Sequence, residues 1–585
     1  MNRVDRFGAL YEEWQRHGLD RRQFMRLVAL GASASSISMI IAACGGSSTK
    51  STSTSAPGAP TTSAGGGATA TTAGTPQPIA QTVGTPALNP SAMPTSAPFV
   101  DKPFLIALNV EPDSLDVHDT FSNASLGTIK CIYEGLVGLN EKMSVVNQLA
   151  TSWEASSDAK EFTFKLAKGV KFQDGTPFNA QAVKDSFDRV LAKDSKLKRH
   201  GYFSAAIDHV EVVDDGTVKI VSQNPFAAMV ATIAHPAGGI ASPTAIKKYG
   251  TDFGTHPVGT GPYQFSEWVR GDHIAMAPFA DYWNKASGAS VSKLTVKGIA
   301  EPSALGIAVQ SGDAQFGGPL NAPQAVQLQK QQGVVVQENP SISVYWITLN
   351  NHIKPYDNKM VRQALNYGVN KEEVLKAADL GKGTLMDSPL GQLVYGYHKV
   401  GSYAYDPAKA KDLLKQGGYE NGFKATLWTS APSKDRAVAV QGQLQKIGVT
   451  IDVVQMESAA LNAELAKPVD QSQTQMVVSN WSPSTGDADW GLRPLYTKDE
   501  WPPAGATYSF YTNPDVEKYV LEGLQFADET KRLEAYAKAQ ETIWDDAPNI
   551  FLYAPTYFGA NVQDAMGVIV QPDGIVYMRS AAYKK

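Results

Sequence analysis

Between Ser51 and Val100 the chain carries no charged residue and is built almost wholly of Ala, Thr, Ser, Gly and Pro. Such a stretch offers too little apolar area to offset the entropy of ordering, so residues 44–102 are predicted to form a disordered tether. As a flexible coil this tether spans on the order of 40 Å. It separates a short N-terminal segment from a body that runs from Pro103 to Lys585. The body, at roughly 480 residues, exceeds what one hydrophobic core holds and calls for two or three domains.

The N-terminal segment carries an address. Arg21 and Arg22, followed by Phe24 and a mild apolar run, resemble a twin-arginine export signal. Ala42 and Ala43 before Cys44 resemble a lipobox, in which the cysteine takes lipid and becomes the mature N-terminus. Residues 1–43 then read as a signal peptide. The competing reading is a short membrane anchor. Leu27 to Ala43 contains several Ser and Gly and falls short of the roughly 20 apolar residues a spanning helix needs. The expected location is the extracytoplasmic face, periplasm or cell surface, with a lipid anchor holding the body near a partner in the membrane.

Charge and motifs exclude several classes. The net charge is −5, and the first 43 residues hold six Arg against two Asp and two Glu, so the body is mildly acidic. That leaves no footprint for nucleic acid. Besides Cys44 only Cys131 exists, so there is no disulfide framework, and Cys131 reads as a buried, inert thiol. The histidines of the body are scattered singly, without metal-ligand spacing, so neither a metal site nor another cofactor is expected. No phosphate-binding loop, Gly-x-Ser-x-Gly elbow or His-Glu-x-x-His is present. In Gly259-Thr-Gly-Pro-Tyr, Pro262 removes an N–H donor, so this reads as a turn before a strand. An enzyme is disfavoured, although carboxylates such as Asp487 and Asp489 keep a hydrolase open.

Strand and helix patterns interleave along the body. Phe104–Asn109 reads as an opening strand, and Glu161–Leu166 alternates at period two. Ala180–Leu191 presents Val183, Phe187 and Val190 on one helical face. Further helices are predicted over Lys359–Tyr367, from Asp406-Pro407 onward, over Ala437–Ile447 and over Arg532–Trp544, with a strand from Val449 to Val454. The fold class is therefore α/β.

Several segments in order resemble the family 5 extracytoplasmic solute-binding proteins, the peptide and nickel receptors of ABC importers. They are Ser114-Leu-Asp, Tyr133-Glu-Gly-Leu, Asp174-Gly-Thr-Pro-Phe, Pro257–Tyr263, Asp281-Tyr-Trp, Val361–Tyr367 and Gln445–Val449. Trp481–Leu495, Trp501-Pro-Pro and Glu541–Pro548 are similar to the glutathione-binding members. The resemblance implies a periplasmic-binding-protein-like class II fold, two lobes with an extra inserted domain and a cleft between lobes. Domain I would take residues 103–136, 281–349 and 550–585, the inserted domain II 137–280, and domain III 350–549. A small peptide or glutathione would be the ligand, ABC permease subunits the partners, and the receptor a monomer.

A small peptide offers an amine, carboxylates and amides, each costly to bury without a partner. The segment 481–493 supplies matching groups: Trp481 as a wall, Ser484 and Thr485 as hydroxyls, Asp487 and Asp489 for an amine, and Arg493 for a carboxylate. The plainer reading is a solvated turn between two core tryptophans. In the dipeptide and oligopeptide receptors an aspartate three residues after the tryptophan takes the peptide amine. Here that position is Ser484, so Asp487 or Asp489 must serve if an amine is held. Thr120, Phe121, Ser122 and Asn123 occupy a loop near the implied cleft, or else form an Asx/Ser turn. Tyr345, Asn350, Met386 and Trp428 are weaker candidates that suit core or hinge equally. Arg362 is assigned to structure.

The leading expectation is a lipid-anchored receptor that captures glutathione or a short peptide by lobe closure and delivers it to an ABC permease. Alternatives are the same fold serving a nickel chelate, haem or an opine, an extracytoplasmic hydrolase, and a sensor or adhesin.

Overall fold

The long strand Asn549–Val562 organises the body. In the computed structural model, which describes Met93 and residues 95–584, its two halves lie in different neighbourhoods. The leader, Cys44 and nearly all of the tether fall outside the described residues. The first half of the strand pairs antiparallel with Val344–Leu349, Tyr553 facing Tyr345 and Asn549 facing Thr348. The second half pairs with Val334–Pro340, Val562 facing Val334 and Thr556 facing Pro340. The chain thus crosses one way through 341–343 and returns through 549–562, as a two-stranded ribbon.

On one side of the crossing the sheet continues through Phe316–Leu320, Val100–Leu108, Val291–Gly298, His273–Pro278 and Tyr263–Val269. On the other it continues through Val344–Leu349, Met476–Trp481, Lys424–Ser430 and Thr450–Met456. Each side has its own core, one around Phe104, Ile106 and Leu294, the other around Ile347, Leu427 and Ile550. A separate four-stranded antiparallel sheet runs in the order Ala150–Ala155, Glu161–Leu166, Thr217–Val221, His209–Asp214. The large sheet takes the chain back at Tyr263, because Tyr263–Val269 pairs with His273–Pro278 and that strand with Val291–Gly298.

Local signals hold where a short segment decides its own structure. Glu161–Leu166 is a strand and Ala180–Leu191 a helix, with Asn179 accepting from Ala182 N at its start. Val183, Phe187 and Val190 are buried, and the Phe187 ring meets Phe203 edge-on at 5.6 Å. Asp406 caps the helix Pro407–Gln416 as expected. The helix expected over 532–544 runs from Glu529 to Asp546, because Asp528 caps a polar first turn that apolar periodicity does not register. The helix expected over 437–447 likewise starts at Lys434 and ends at Gln445.

The most recognisable motifs are packing devices. The carboxylate of Glu134 is buried and accepts from Tyr282 Oη at 2.6 Å, Trp283 Nε1 at 2.8 Å, Thr260 Oγ1 at 3.2 Å and Arg579 Nη2 at 3.0 Å. Three separate motifs and the C-terminal segment are therefore tied by one side chain. Gly259 and Gly261 lie against the end of helix Asn123–Ile132, where a Cβ would come within 2.3 Å of Ile132 O and 2.5 Å of Cys131 O. The Gln173 amide closes this junction, donating to the carbonyls of Ile132, Gly261 and Tyr263. The glycine loop is thus the turn the sequence suggested. Cys131 is fully buried, and burial pushes its thiol up to about 12, consistent with an inert core residue.

Candidate functional site

The crossing ribbon gathers polar groups on the side that carries Val344–Leu349. Tyr345 and Tyr553 face each other on adjacent strands, ring centroids 5.8 Å apart. The Arg436 guanidinium, from the first turn of helix Lys434–Gln445, lies 3.9 Å above the Tyr345 ring. Its Nε donates to Tyr553 Oη at 2.6 Å and its Nη2 to Asp379 Oδ2 at 2.7 Å. Tyr553 Oη donates to the same Asp379 oxygen at 2.6 Å. Burial raises both phenols above their ordinary range, Tyr553 the more, with Arg436 opposing the shift. Further along, Tyr557 Oη and Ser343 Oγ share a hydrogen bond of 2.7 Å. Tyr345 is thus placed at the crossing. Arg436, Asp379, Tyr553 and Tyr557 carried no sequence signal, because each looks like an ordinary helix-end or strand residue until the sheet aligns them.

The loop before helix Asn123–Ile132 divides into turn and surface. Thr120 is buried, donates to Asp113 Oδ1 at 2.5 Å and accepts from Ser122 N at 3.0 Å. Ser122 caps the helix by accepting from Ser125 N. These two build the turn. Phe121, by contrast, is 61% exposed, with the Arg199 guanidinium 4.7 Å from its ring. Asn123 is also exposed.

The segment 481–493 is where the structure departs most from expectation. Strand Met476–Trp481 ends, Gly486 turns the chain at φ 75°, and Asp487 caps helix Ala488–Tyr496. Thr485 is buried, and its Oγ1 accepts from Asp487 N at 3.2 Å. The Asp487 carboxylate is fully buried and paired with Arg532 Nη2 at 2.8 and 3.0 Å. Burial pushes its carboxyl upward and Arg532 opposes this. Asp489 is engaged side-on by Arg493, Nε to Oδ1 at 2.9 Å and Nη2 to Oδ2 at 3.1 Å. Arg493 Nη1 is held by Glu500 at 2.6 Å. Every charge assigned to a ligand amine or carboxylate in this segment is therefore neutralised inside the lobe. The spacing that suggested a presented site instead follows from i,i+4 pairing on a buried helix and a long-range pair from helix Glu529–Asp546.

What the segment does present is aromatic. Trp481 is half-buried, donates from Nε1 to Trp490 O at 2.6 Å, and its ring lies 6.0 Å from that of Trp490. Trp490 meets Tyr202, beyond the four-stranded sheet's first helix, edge-on at 5.1 Å. The opposed parts of the body also touch where Ala227 N donates to Leu524 O at 2.9 Å. Ser484 is half-buried beside this wall.

Three weaker candidates go to packing. Asn350 is buried, donating to Thr474 O at 2.8 Å and accepting from His352 N at 3.1 Å. Met386 lies in the core, and Trp428 packs against Leu461, Leu465 and Val477. Arg362 binds the carbonyls of Tyr356 and Asp546, the structural role expected of it. Among the described residues no cluster of three or more His, Cys, Asp or Glu could hold a metal ion, and no helix is long and apolar enough to cross a membrane.

A two-strand crossing between two sheet-centred lobes, with aromatic and polar groups at the junction, suits a hinge that closes over a solute. The family model for bacterial extracellular solute-binding proteins, family 5, matches residues 144–503. The chain belongs to this family. Its members are binding proteins of transport systems, not enzymes, and its body is the two-lobed α/β class II fold of periplasmic binding proteins. The glutathione-binding protein GsiB of Pectobacterium atrosepticum is 39% identical over 84% of this chain and 96% of its own length. The protein of the same name from Escherichia coli K12 is 35% identical over 83% and 95%. Among solved structures, the periplasmic binding protein DppA from Helicobacter pylori, in complex with the peptide STSA, is 26% identical. It superimposes with a TM-score of 0.71 over 83% of this chain and 98% of its own.

Proposed function

We propose that this family 5 protein is a lipid-anchored receptor that captures glutathione or a short peptide and hands it to an ABC permease. The observation that carries the ligand class is the 39% identity, over nearly the full length of the relative, to a protein named as glutathione-binding. Three observations support it: Phe121 is exposed, Trp481 and Trp490 are half-buried and pack on one another, and the hydroxyls of Ser343 and Tyr557 meet at the crossing. Binding then closes the lobes by bending 341–343 and the middle of 549–562. The domain division proposed with this reading is 103–136, 281–349 and 550–585 for domain I, 137–280 for domain II and 350–549 for domain III. The Arg21-Arg22 leader and Cys44 supply export and anchoring, and the tether keeps the receptor's local concentration high beside its permease.

Titration calorimetry against reduced and oxidised glutathione and a set of di- to hexapeptides tests the ligand class. One of these is expected to bind at a single saturable site, and Phe121→Ala to weaken it about tenfold, as for an aromatic contact of roughly 1–2 kcal/mol. No heat from any of them, with binding of a nickel chelate, haem or an opine instead, would overturn the reading.

A further inference from the structure

The hairpin tip 571–574, between the short strands Ile569–Val570 and Val576–Tyr577, is where the separate parts of the body meet. Pro572 O accepts from Ile342 N in the crossing at 2.9 Å. Asp573 O accepts from Ser482 Oγ, just past the strand of the other lobe, at 3.2 Å. Gln571 donates to Asn140 O at 2.5 Å and accepts from Lys130 Nζ at 2.7 Å. Gly574, at φ 86°, lies so close to the exposed Asn123 and to Tyr557 that a Cβ would be 3.3 Å from each.

At the centre of this tip is Asp573, 3% exposed. Its Oδ1 accepts from Ile575 N at 2.9 Å, while its buried Oδ2 has no hydrogen-bond partner. Lys130, the cation beside it, directs its ammonium to Gln571 and to the face of Tyr577 at 5.0 Å. No ion pair joins it to Asp573 among the described residues. Tyr557 is the titratable group facing the tip from the crossing strand. Burial raises the Asp573 carboxyl to about 6 despite Lys130, so at neutral pH it is ionised at a cost. A buried carboxylate with an unpartnered oxygen is tolerated when a cation completes it, and the acids of the 481–493 segment are already paired.

We propose that Asp573 receives a protonated primary amine of the bound solute on its unpartnered Oδ2, at the point where Ser482, Asn123 and the crossing converge, the lobes opening to admit it. The assignment rests on the receptor reading above and deepens it. The ligand class is narrowed to solutes with a free ammonium, whether a peptide N-terminus or the α-amine of a γ-glutamyl group.

The test compares glutathione and Ala-Ala-Ala with their N-acetylated forms, by calorimetry at pH 7.5, on the wild type and on Asp573→Asn. The substitution keeps the shape and the Oδ1 acceptor for Ile575 N. N-acetylation is expected to weaken whichever ligand binds the wild type at least tenfold. Asp573→Asn should bind the free-amine form at least tenfold more weakly and no longer distinguish it from the acetylated form. The ligand-free carboxyl is neutral below about pH 6 and ionised above it, so the destabilisation is complete at pH 7.5. Ligand-free Asp573→Asn should accordingly melt higher than the wild type. Should that variant not fold, Asp573→Ser replaces it with the same binding expectation. A wild type indifferent to acetylation, or a folded variant within twofold of wild-type affinity, overturns the assignment while leaving the receptor reading in place. A wild type that binds neither ligand class overturns both.

Discussion

Glu134→Ala should destabilise the first lobe by about 3–5 kcal/mol, the cost of removing one partner from a buried charge pair. Four donors lose their acceptor together: Thr260, Tyr282, Trp283 and Arg579. Arg579 suffers most, since its side chain is 6% exposed and its Nη2 retains only Tyr282 Oη, at 3.0 Å. Glu134→Gln keeps the shape and one acceptor oxygen, so a smaller loss is expected. Urea unfolding followed by tryptophan fluorescence, with Trp283 as a local reporter, measures both. A Glu134→Ala midpoint indistinguishable from wild type would contradict the view that these motifs are a structural knot. Affinity per folded molecule should be unchanged, because Glu134 is turned into the lobe.

Arg532→Ala carries an expected loss of similar size, about 3–5 kcal/mol, by leaving Asp487 charged and alone. Arg532 is 1% exposed and also donates from Nε to Gly523 O at 2.9 Å, so it ties the helices Pro514–Gln525 and Glu529–Asp546 to the start of helix Ala488–Tyr496. Asp487→Ala should cost a comparable amount plus its cap on Asp489 N. Because both deletions remove the same interaction, the double variant should lose clearly less than the sum, a coupling that a double-mutant cycle reads directly. Additive losses would mean the pair is not the stabilising unit. In the folded fraction, ligand affinity of Asp487→Asn should stay within twofold of wild type. A selective collapse of affinity would restore Asp487 to the binding site.

These two clusters explain what the sequence could and could not disclose. Glu161–Leu166, Ala180–Leu191 and the Asp406 cap were legible because hydrophobic period and capping act within a dozen residues. Family membership was legible because its motifs recur in order, although the residues that carry them, Glu134 and Gly259–Tyr263 among them, serve packing. Among the candidate residues, the exposure of Phe121 and Asn123 was legible because it follows from their own loop. Asp487 looked available because its partner, Arg532, lies 45 residues on. Asp573 and Arg436 drew no notice because their settings are made by long-range pairing: a hairpin tip wedged at the crossing, and a helix start laid over a strand tyrosine.

The central claim is that the body closes over an intact small peptide. Native mass spectrometry of the exported protein, purified without added ligand and then denatured to release what it holds, tests this most directly. A single bound species is expected, with the mass of glutathione or of a short peptide, bearing a free amine and released unaltered. Release of hydrolysed fragments, of a metal chelate or of haem would contradict it.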